Sequence, residues 1–347
     1  MGLNLAKNIF QVHGVTSRGE VAFNRPLRRT QVLAFFERLE PCLVGIEACS
    51  SGHYWAQENS KLGHEVRLIP PIYVKPYVKR GKSDAIDAEA ICEAVTRPTT
   101  RFVEIKSEDQ QALPSLHRTR DLAVRQRTQL VNMLRGLLAE FGITIPRGLG
   151  KALGYAKDVT EGDQPEMPKI ARVVVRVLCR QVMALHNWIG WYETRLKIEA
   201  RANPQVRLLQ TIPGMGPITA SAIAATVGSG YQFRSGREFA AWLGLTPKNR
   251  SSGGKERLGG ISRMGDRCLK QLLVVGMTLR VRQVRNHPER GDPWLRDLLD
   301  RKRARLATLA MANETARVVW AVLTKKPTLR STRRLRDAAF EIARQEI

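Results

Sequence analysis

The stretch Gly81-Lys82-Ser83-Asp84-Ala85-Ile86-Asp87-Ala88-Glu89-Ala90 decides how the N-terminal part of the chain folds. It predicts the start of a helix that carries Asp84 and Asp87 three residues apart, so that both carboxylates can lie on one helical face. Upstream, the apolar run 42–46 predicts a buried strand that ends at Glu47. Strand and helix together favour an α/β layer whose acids lie at the carboxyl ends of the strands, where sheets of this kind usually carry their functional residues.

Three carboxylates that converge in this way indicate a metal site formed by Glu47, Asp84 and Asp87. Mg²⁺ prefers oxygen ligands and takes few of them from protein, so substrate phosphate and water can complete its shell. Pairs of such cations serve the cutting and joining of phosphodiesters. The spacing leaves a second interpretation open, because Asp84 and Asp87 would also stabilise the positive end of a helix without any metal.

The net charge indicates the class of partner. Lys and Arg number 57 against 32 Asp and Glu, which gives a formal net charge of +25. A polyanion is the natural partner for such a surplus, through salt-dependent phosphate contacts. The five cysteines are scattered without zinc spacing, there is no signal-peptide pattern, and no apolar run has the length of a membrane span. We therefore expect a bacterial cytoplasmic protein associated with the nucleoid, with no membrane partner.

Strands precede helices in the first hundred residues, and the pattern then alternates. This order is typical of a ribonuclease-H-like layer of sheet and helices. The predicted elements are a hairpin of Ile9–Val15 and Val21–Phe23, a helix over 30–39, a strand over 43–47, a helix over 52–62, a strand over 64–69 and the helix at Asp84.

Two helical segments with a seven-residue repeat follow, separated by a predicted turn region over 144–168. They indicate an antiparallel helical hairpin or a dimerising coiled coil. Their arginines, such as Arg118 and Arg120, could contact a duplex or could be ordinary solvated flanks. The repeats are Leu116, Ala123, Leu130 and Leu137, then Val175, Val182, Ile189 and Leu196.

The C-terminal part begins with a helix-hairpin-helix pattern, in which Gly214 and Gly216 would let backbone N–H groups approach a phosphate. A turn between two helices without a ligand gives a similar string. A polar loop over 246–263 contains Ser251-Ser252, which is either a phosphate-attacking nucleophile or a flexible turn. The remainder, 266–326, is helical and basic. The candidate nucleic-acid-binding residues of the whole chain are Lys75, Lys79, Arg80, Lys82, Arg118, Arg120, Gly214, Gly216 and Lys255.

The order of these motifs resembles a known family. Five strings carry the resemblance: Gly2-Leu3-Asn4-Leu5-Ala6-Lys7-Asn8, Gly45-Ile46-Glu47-Ala48-Cys49, Lys82-Ser83-Asp84-Ala85-Ile86-Asp87-Ala88, Ile212-Pro213-Gly214-Met215-Gly216, and Gly244-Leu245-Thr246-Pro247 before Ser251-Ser252-Gly253-Gly254-Lys255. They resemble the insertion-sequence transposases that join a RuvC-like DEDD domain to a C-terminal serine-bearing domain, relatives of the Piv/MooV DNA invertases.

The resemblance implies a recombinase whose structured noncoding RNA, a bridge or seek RNA, pairs with donor and target DNA. It implies that Glu47, Asp84 and Asp87 hold Mg²⁺ and that Ser252 attacks the DNA backbone, with Ser251 as the alternative. Different subunits of a homo-oligomer, a dimer or a tetramer, would contribute the acids and the serine. The implied domains are a RuvC-like metal-binding domain over 1–100, a coiled-coil region over 101–203, a serine transposase domain over 204–330 and a basic tail over 331–347.

One residue departs from the family pattern. The first acid of the tetrad is expected on the first strand, where this chain has Asn4 and where the chain starts only three residues earlier. Asn4 can offer a neutral oxygen to the metal but no charge. Two alternatives to an active recombinase therefore stay open. One is a nucleic-acid-binding remnant without strand transfer, and the other is a RuvC-like metal nuclease that acts on DNA junctions.

Overall fold

The computed structural model of the protein describes residues 1–81, 83–163, 165–251, 253–255, 257–262 and 265–325. The chain divides into two compact units. The first comprises Met1–Gln111 with Gly228–Arg234, and the second comprises Ala112–Val227 with the residues from Ser235 onward. The four-part division expected from the sequence stays a prediction, and its tail over 331–347 lies outside the described residues.

The first unit is built on a five-stranded sheet of β1 (Gly2–Asn4), β2 (Ile9–Val15), β3 (Val21–Arg28), β4 (Leu43–Glu47) and β5 (Glu65–Ile69). The strand order is β3-β2-β1-β4-β5, and β1 runs antiparallel to β2 and parallel to β4. The sheet-and-helix layer expected of a ribonuclease-H-like domain is present. The helix predicted over 30–39 is shorter than expected at both ends, since a 3-10 turn occupies its first residues and the α-helix ends at Phe36. The helices of this unit are α1 (Val32–Phe36), α2 (Gly52–Lys61), α3 (Pro71–Val74) and α4 (Asp84–Thr96).

The two faces of this sheet have different cores. Alternate residues of a strand point to opposite faces. Leu3, Val44 and Ile46 therefore share one face, where they pack with Phe10 and Trp55. The other face is covered by α4, which buries Ile91 and Val95 against it.

Glycines let α4 lie directly on the sheet. Gly2 and Gly45 are register partners on β1 and β4. A Cβ at Gly2 would collide with the backbone of Ala88 and Cys92, and a Cβ at Gly45 would come within 2.8 Å of the Val95 side chain. The two missing side chains therefore set the height of α4 above the two central strands.

Helices make up most of the remaining chain: α5 (Glu108–Ala139), α6 (Leu149–Glu161), α7 (Lys169–Ala202), α8 (Pro204–Leu209), α9 (Pro217–Val227), α10 (Gly236–Trp242), α11 (Arg267–Asn286), α12 (Pro293–Arg301) and α13 (Ala304–Lys325). A short antiparallel pair, β6 (Pro247–Asn249) and β7 (Leu258–Ile261), lies between α10 and α11.

Two sequence predictions are wrong here. The region 144–168, predicted as a turn, contains α6, which is bracketed by the positive-φ residues Gly148 and Gly162. It folds as a helix because Ala152, Ala156 and Val159 bury one face of it. The loop predicted over 246–263 contains β6 and β7.

Helices α5 and α7 run antiparallel. Arg120 of α5 pairs with Glu193 of α7, and seven residues later Arg127 hydrogen-bonds His186, seven residues earlier in α7. The heptad predicted for α7 is confirmed, since Val175, Val182, Ile189 and Leu196 are all buried. In α5 the buried seam is displaced by one residue for most of its length. It contains His117, Ala123, Val131, Leu134 and Leu138.

The outward side of α7 carries a second apolar repeat, at Ile170, Val177, Ala184, Trp191 and Ile198. Its side chains are exposed to solvent, Ile170 to 81% and Trp191 to 55%. We call these five residues the α7 stripe. Among the described residues, no helix combines the length and apolar character needed to cross a bilayer.

The turn before α9 packs closely on α11. Gly214 has a φ of +80°, and a Cβ there would lie 2.6 Å from Met277 Cε. Gly276 lies opposite, where a Cβ would collide with the Gly214 carbonyl. Deeper in the same unit, His117 Nε2 and Ser221 Oγ form a buried hydrogen bond of 3.1 Å between α5 and α9.

Candidate acidic site and serine loop

Helix α4 begins where its sequence predicts. The side chain of Ser83 caps it by accepting a hydrogen bond from Ile86 N at 3.3 Å. Asp84 and Asp87 then occupy the first turn, where the helix dipole stabilises negative charge. The cap fixes where both carboxylates project from the helix.

The sheet brings two further oxygen-bearing side chains to the same place. The register that pairs Leu3 with Ile46 makes Asn4 and Glu47 neighbours at the ends of two parallel strands. Both alternate with residues that point away from α4, so both lie on the α4 face. Asn4 Nδ2 donates to Asp84 Oδ1 at 3.3 Å. We call Asn4, Glu47, Asp84 and Asp87 the acidic edge.

Negative charge is concentrated at this edge. Burial, followed by the charge of Asp87, raises the pKa of the Glu47 carboxyl above its ordinary value. A cation bound here would favour the ionised form. The side chains of the acidic edge are all oxygen donors of the kind that hard divalent cations prefer, so they fit such an ion chemically.

The acids do not form a closed cluster. Within the described part of the chain, no three His, Cys, Asp or Glu side chains are grouped closely enough to hold a metal ion. Asn4 hydrogen-bonds Asp84, and the charge of Asp87 acts on the carboxyl of Glu47. The fourth donor of the edge, Asn4, is an amide, and its Oδ1 is the atom not used by the hydrogen bond to Asp84.

The predicted serine loop connects β6 and β7. Ser252 lies outside the described residues. Ser251 has a structural role in the loop: its N donates to Asn249 Oδ1 at 2.8 Å, and its Oγ accepts from Arg257 N at 3.1 Å. Gly253 and Gly254 follow with positive φ, and Lys255 is exposed.

The basic residues expected to bind nucleic acid have different surroundings. Lys79 forms an exposed ion pair of 2.5 Å with Glu89, and Arg120 forms a half-buried one with Glu193. Lys82 lies outside the described residues, and Gly214 and Gly216 lie in the turn before α9. Exposed side chains are those of Lys75, Arg80, Arg118 and Lys255.

Sequence reasoning did not identify Gly2 and Gly45 as residues that position the site. The signal was present, because an isolated glycine inside a strand pattern often marks a close approach of another backbone. Here the approaching element is α4, which carries Asp84 and Asp87.

Parts of both units match known protein families. Residues 1–143 match the DEDD transposase family of IS110 elements, described as a transposase. Residues 206–298 match the family described as "Transposase IS116/IS110/IS902 family". The first match includes the whole acidic edge, and the second includes the turn before α9 and the serine loop.

Relatives are similar over almost their full length. A "Probable family 20 transposase" of Pseudomonas aeruginosa is 46% identical, and the alignment covers 95% of this chain and 98% of the relative. The "Transposase for insertion sequence element IS1328" of Yersinia enterocolitica is 38% identical over 94% of this chain and 96% of the relative. The "Transposase for insertion sequence element IS1111A" of Coxiella burnetii is 36% identical, and the alignment covers 95% of this chain and 91% of the relative.

Proposed function

Because this chain belongs to the IS116/IS110/IS902 family of transposases, we propose that it recombines DNA by serine attack, assisted by a divalent cation and guided by RNA. It is an insertion-sequence transposase, an enzyme that acts on DNA. The observation that carries the proposal is the convergence of Asn4, Glu47, Asp84 and Asp87 on one side of the sheet edge.

The acidic edge would hold the cation, which we take to be Mg²⁺. When bound, it supplies positive charge that stabilises the negative charge developing on the reacting phosphate. Glu47, Asp84 and Asp87 would provide charged oxygens, and Asn4 a neutral one. The raised pKa of Glu47 supports this role, because a neighbouring cation relieves the unfavourable environment of its carboxylate.

Ser252 is the proposed nucleophile. Its Oγ would form an ester bond to phosphorus while the bond from phosphorus to a sugar oxygen of the DNA breaks, and the proton lost by the serine balances the one taken up by the sugar. Attack by a sugar hydroxyl from another strand reverses the step and rejoins the DNA. The hydroxyl of Ser251 accepts from Arg257 N, which favours its neighbour as the reacting group.

A trapped protein-DNA adduct tests this chemistry. Parent protein incubated with Mg²⁺, element-end DNA and RNA transcribed from the flanking noncoding region should give a covalent adduct on a denaturing gel. Ser252→Ala should abolish the adduct, whereas Ser251→Ala should retain part of it. Loss of the adduct in Ser251→Ala alone would move the nucleophile by one residue.

Two other functions give different outcomes in the same assay. Asn4 favours a nucleic-acid-binding remnant, which would bind DNA and RNA but yield neither nicks nor adduct. A RuvC-like nuclease would nick DNA junctions in a Mg²⁺-dependent way without an adduct, and would leave Ser252 without a role.

Guidance by RNA and self-association complete the proposal. The charge of +25 supports binding of a structured RNA together with donor and target DNA. The α7 stripe supports a homo-oligomer, because an exposed apolar seam with a seven-residue repeat is the pattern of a coiled-coil contact. Trp191→Glu should lower the mass measured by light scattering if this contact forms, and should leave it unchanged otherwise.

A further inference from the structure

Two adjoining cavities lie between α11, α12 and α13 in the second unit. The first has a volume of about 670 Å³, and the second about 620 Å³. They share Arg285 and Ala304 as lining residues and are therefore adjacent, and we call the two together the groove. The floor of the groove is partly apolar and contains the buried residues Val281 and Thr308.

Cations outnumber carboxylates along the groove, where Asp300 is an acidic lining residue. Residues 282–305 contain eight Arg or Lys against four Asp or Glu. Six of these cations line the groove, and all six are exposed; among the described side chains, none of the six has an ion-pair partner. The six groove cations are Arg282, Arg285, Arg296, Lys302, Arg303 and Arg305.

We propose that this groove binds the phosphate backbone of a nucleic acid. The inference rests on the proposed function, in which the chain handles DNA and RNA, and it assigns a binding site to residues that the sequence motifs did not single out. Five of the six cations are arginines, whose planar guanidinium can bind a phosphate through two parallel hydrogen bonds.

The placement of the cations also fits a nucleic acid. Arg282 and Arg285 lie three residues apart on α11 and therefore project on one side, and Arg305 lines the same cavity from α13. A polyanion with regularly spaced charges can contact several of these groups at once. The apolar floor offers room for sugar or base surface between the phosphate contacts.

A charge-removing triple variant tests the groove. Arg282→Gln with Arg285→Gln and Arg305→Gln should weaken binding about 100-fold or more at 0.1 M salt, since each phosphate contact contributes close to tenfold there. The slope of log affinity against log salt concentration should fall by about 3, because each contact contributes about 0.9.

The matched control removes three exposed arginines of the same region that do not line the groove. Arg267→Gln with Arg290→Gln and Arg301→Gln makes the same change in net charge. It should shift affinity only slightly and keep the salt slope. Substituting the three groove arginines with lysine should retain most of the slope, and melting curves would show that all variants fold.

Fluorescence anisotropy should be measured with duplex DNA, single-stranded DNA and an RNA hairpin of equal length. The bound nucleic acid is identified as the probe whose affinity falls most in the groove triple variant relative to the control triple variant. Equal losses in the groove and control triples, or a parent protein that binds none of the probes, would refute the groove. Groove-specific binding without any Ser252-dependent adduct would support the groove and overturn the serine chemistry instead.

Discussion

Replacing Asn4 with aspartate tests how the acidic edge is organised. Asn4 Nδ2 lies 3.3 Å from Asp84 Oδ1, so Asn4→Asp replaces a hydrogen bond with two neighbouring carboxylates. At this separation two unit charges repel by about 1 kcal/mol in bulk water and about 5 kcal/mol at an effective dielectric constant of 20. The pair is exposed, so the lower figure applies more closely. Together with the lost hydrogen bond of about 1 kcal/mol, we expect the first unit to lose about 2 kcal/mol of stability without a divalent cation.

A bound cation should offset most of this loss of stability, because a tenfold gain in affinity is worth about 1.4 kcal/mol at saturation. The added carboxylate supplies a charge that the amide lacks, and even changes around the direct ligands of a metal cost roughly 10- to 100-fold in affinity or activity. Asn4→Asp should therefore bind Mg²⁺ at least tenfold more tightly than the parent, and should recombine a matched RNA and DNA pair faster at limiting Mg²⁺.

Thermal unfolding in EDTA and across a MgCl₂ titration measures both effects. Asn24→Asp is the matched control, because Asn24 lies exposed on the edge strand β3 and its Oδ1 accepts from Gln11, which a carboxylate can also do. The control should melt like the parent in both conditions. If parent and Asn4→Asp respond equally to MgCl₂, the four-donor organisation of the edge is wrong.

Three further predictions concern the rest of the chain. Affinity for nucleic acid should fall by roughly 10³ to 10⁵ between 50 and 200 mM salt if 6 to 10 phosphates are contacted, and a flat titration would contradict polyanion binding. Burial, with a contribution from Arg120, lowers the pKa of His117 from 6.5 to about 4. The contribution of neutral His117 to the free energy of unfolding is therefore fully present above pH 6.5 and falls by about 3 kcal/mol as the pH drops to 4. Urea unfolding of the parent and of His117→Gln at both pH values checks this, since the variant should lose less stability on acidification. Gly214→Ala should destabilise by roughly 1–3 kcal/mol because of its positive φ and its contact with α11, whereas Gly216→Ala, with open space around it, should cost about 1 kcal/mol or less in the same unfolding assay.

Local patterns predicted the elements whose environment is simple. The strand Leu43–Glu47 has the predicted bounds, since a short apolar run buried in a sheet looks the same in sequence and in structure. The heptad of α7 is likewise confirmed, because its seam residues are buried along the helix, which packs against α6, α8 and α9. The Ser83-Asp84 start of α4 follows from ordinary capping chemistry.

Predictions failed where tertiary packing outweighed local preference. In α5 the buried seam includes His117 because Ser221 of α9 supplies a buried hydrogen-bond partner, and no periodicity in α5 contains that information. Helix α6 forms in a Gly-containing stretch because its small residues pack into a core with α5 and α7. The hydrogen bond from Asn4 to Asp84 joins residues eighty positions apart, so it depends on the packing of α4 against β1, which no local pattern contains.

The first unit is discontinuous in the chain, and this affects the order in which it can be completed during synthesis. Gly228–Arg234 belongs to it, and Tyr231 O accepts from Arg101 Nη1 at 3.5 Å. The ribosome makes more than a hundred residues of the other unit between Gln111 and Gly228. At roughly 5–20 residues per second, that interval lasts about 6–23 s. During that interval the first unit, which carries the acidic edge, lacks its last segment, and a fragment that ends at residue 111 lacks it permanently.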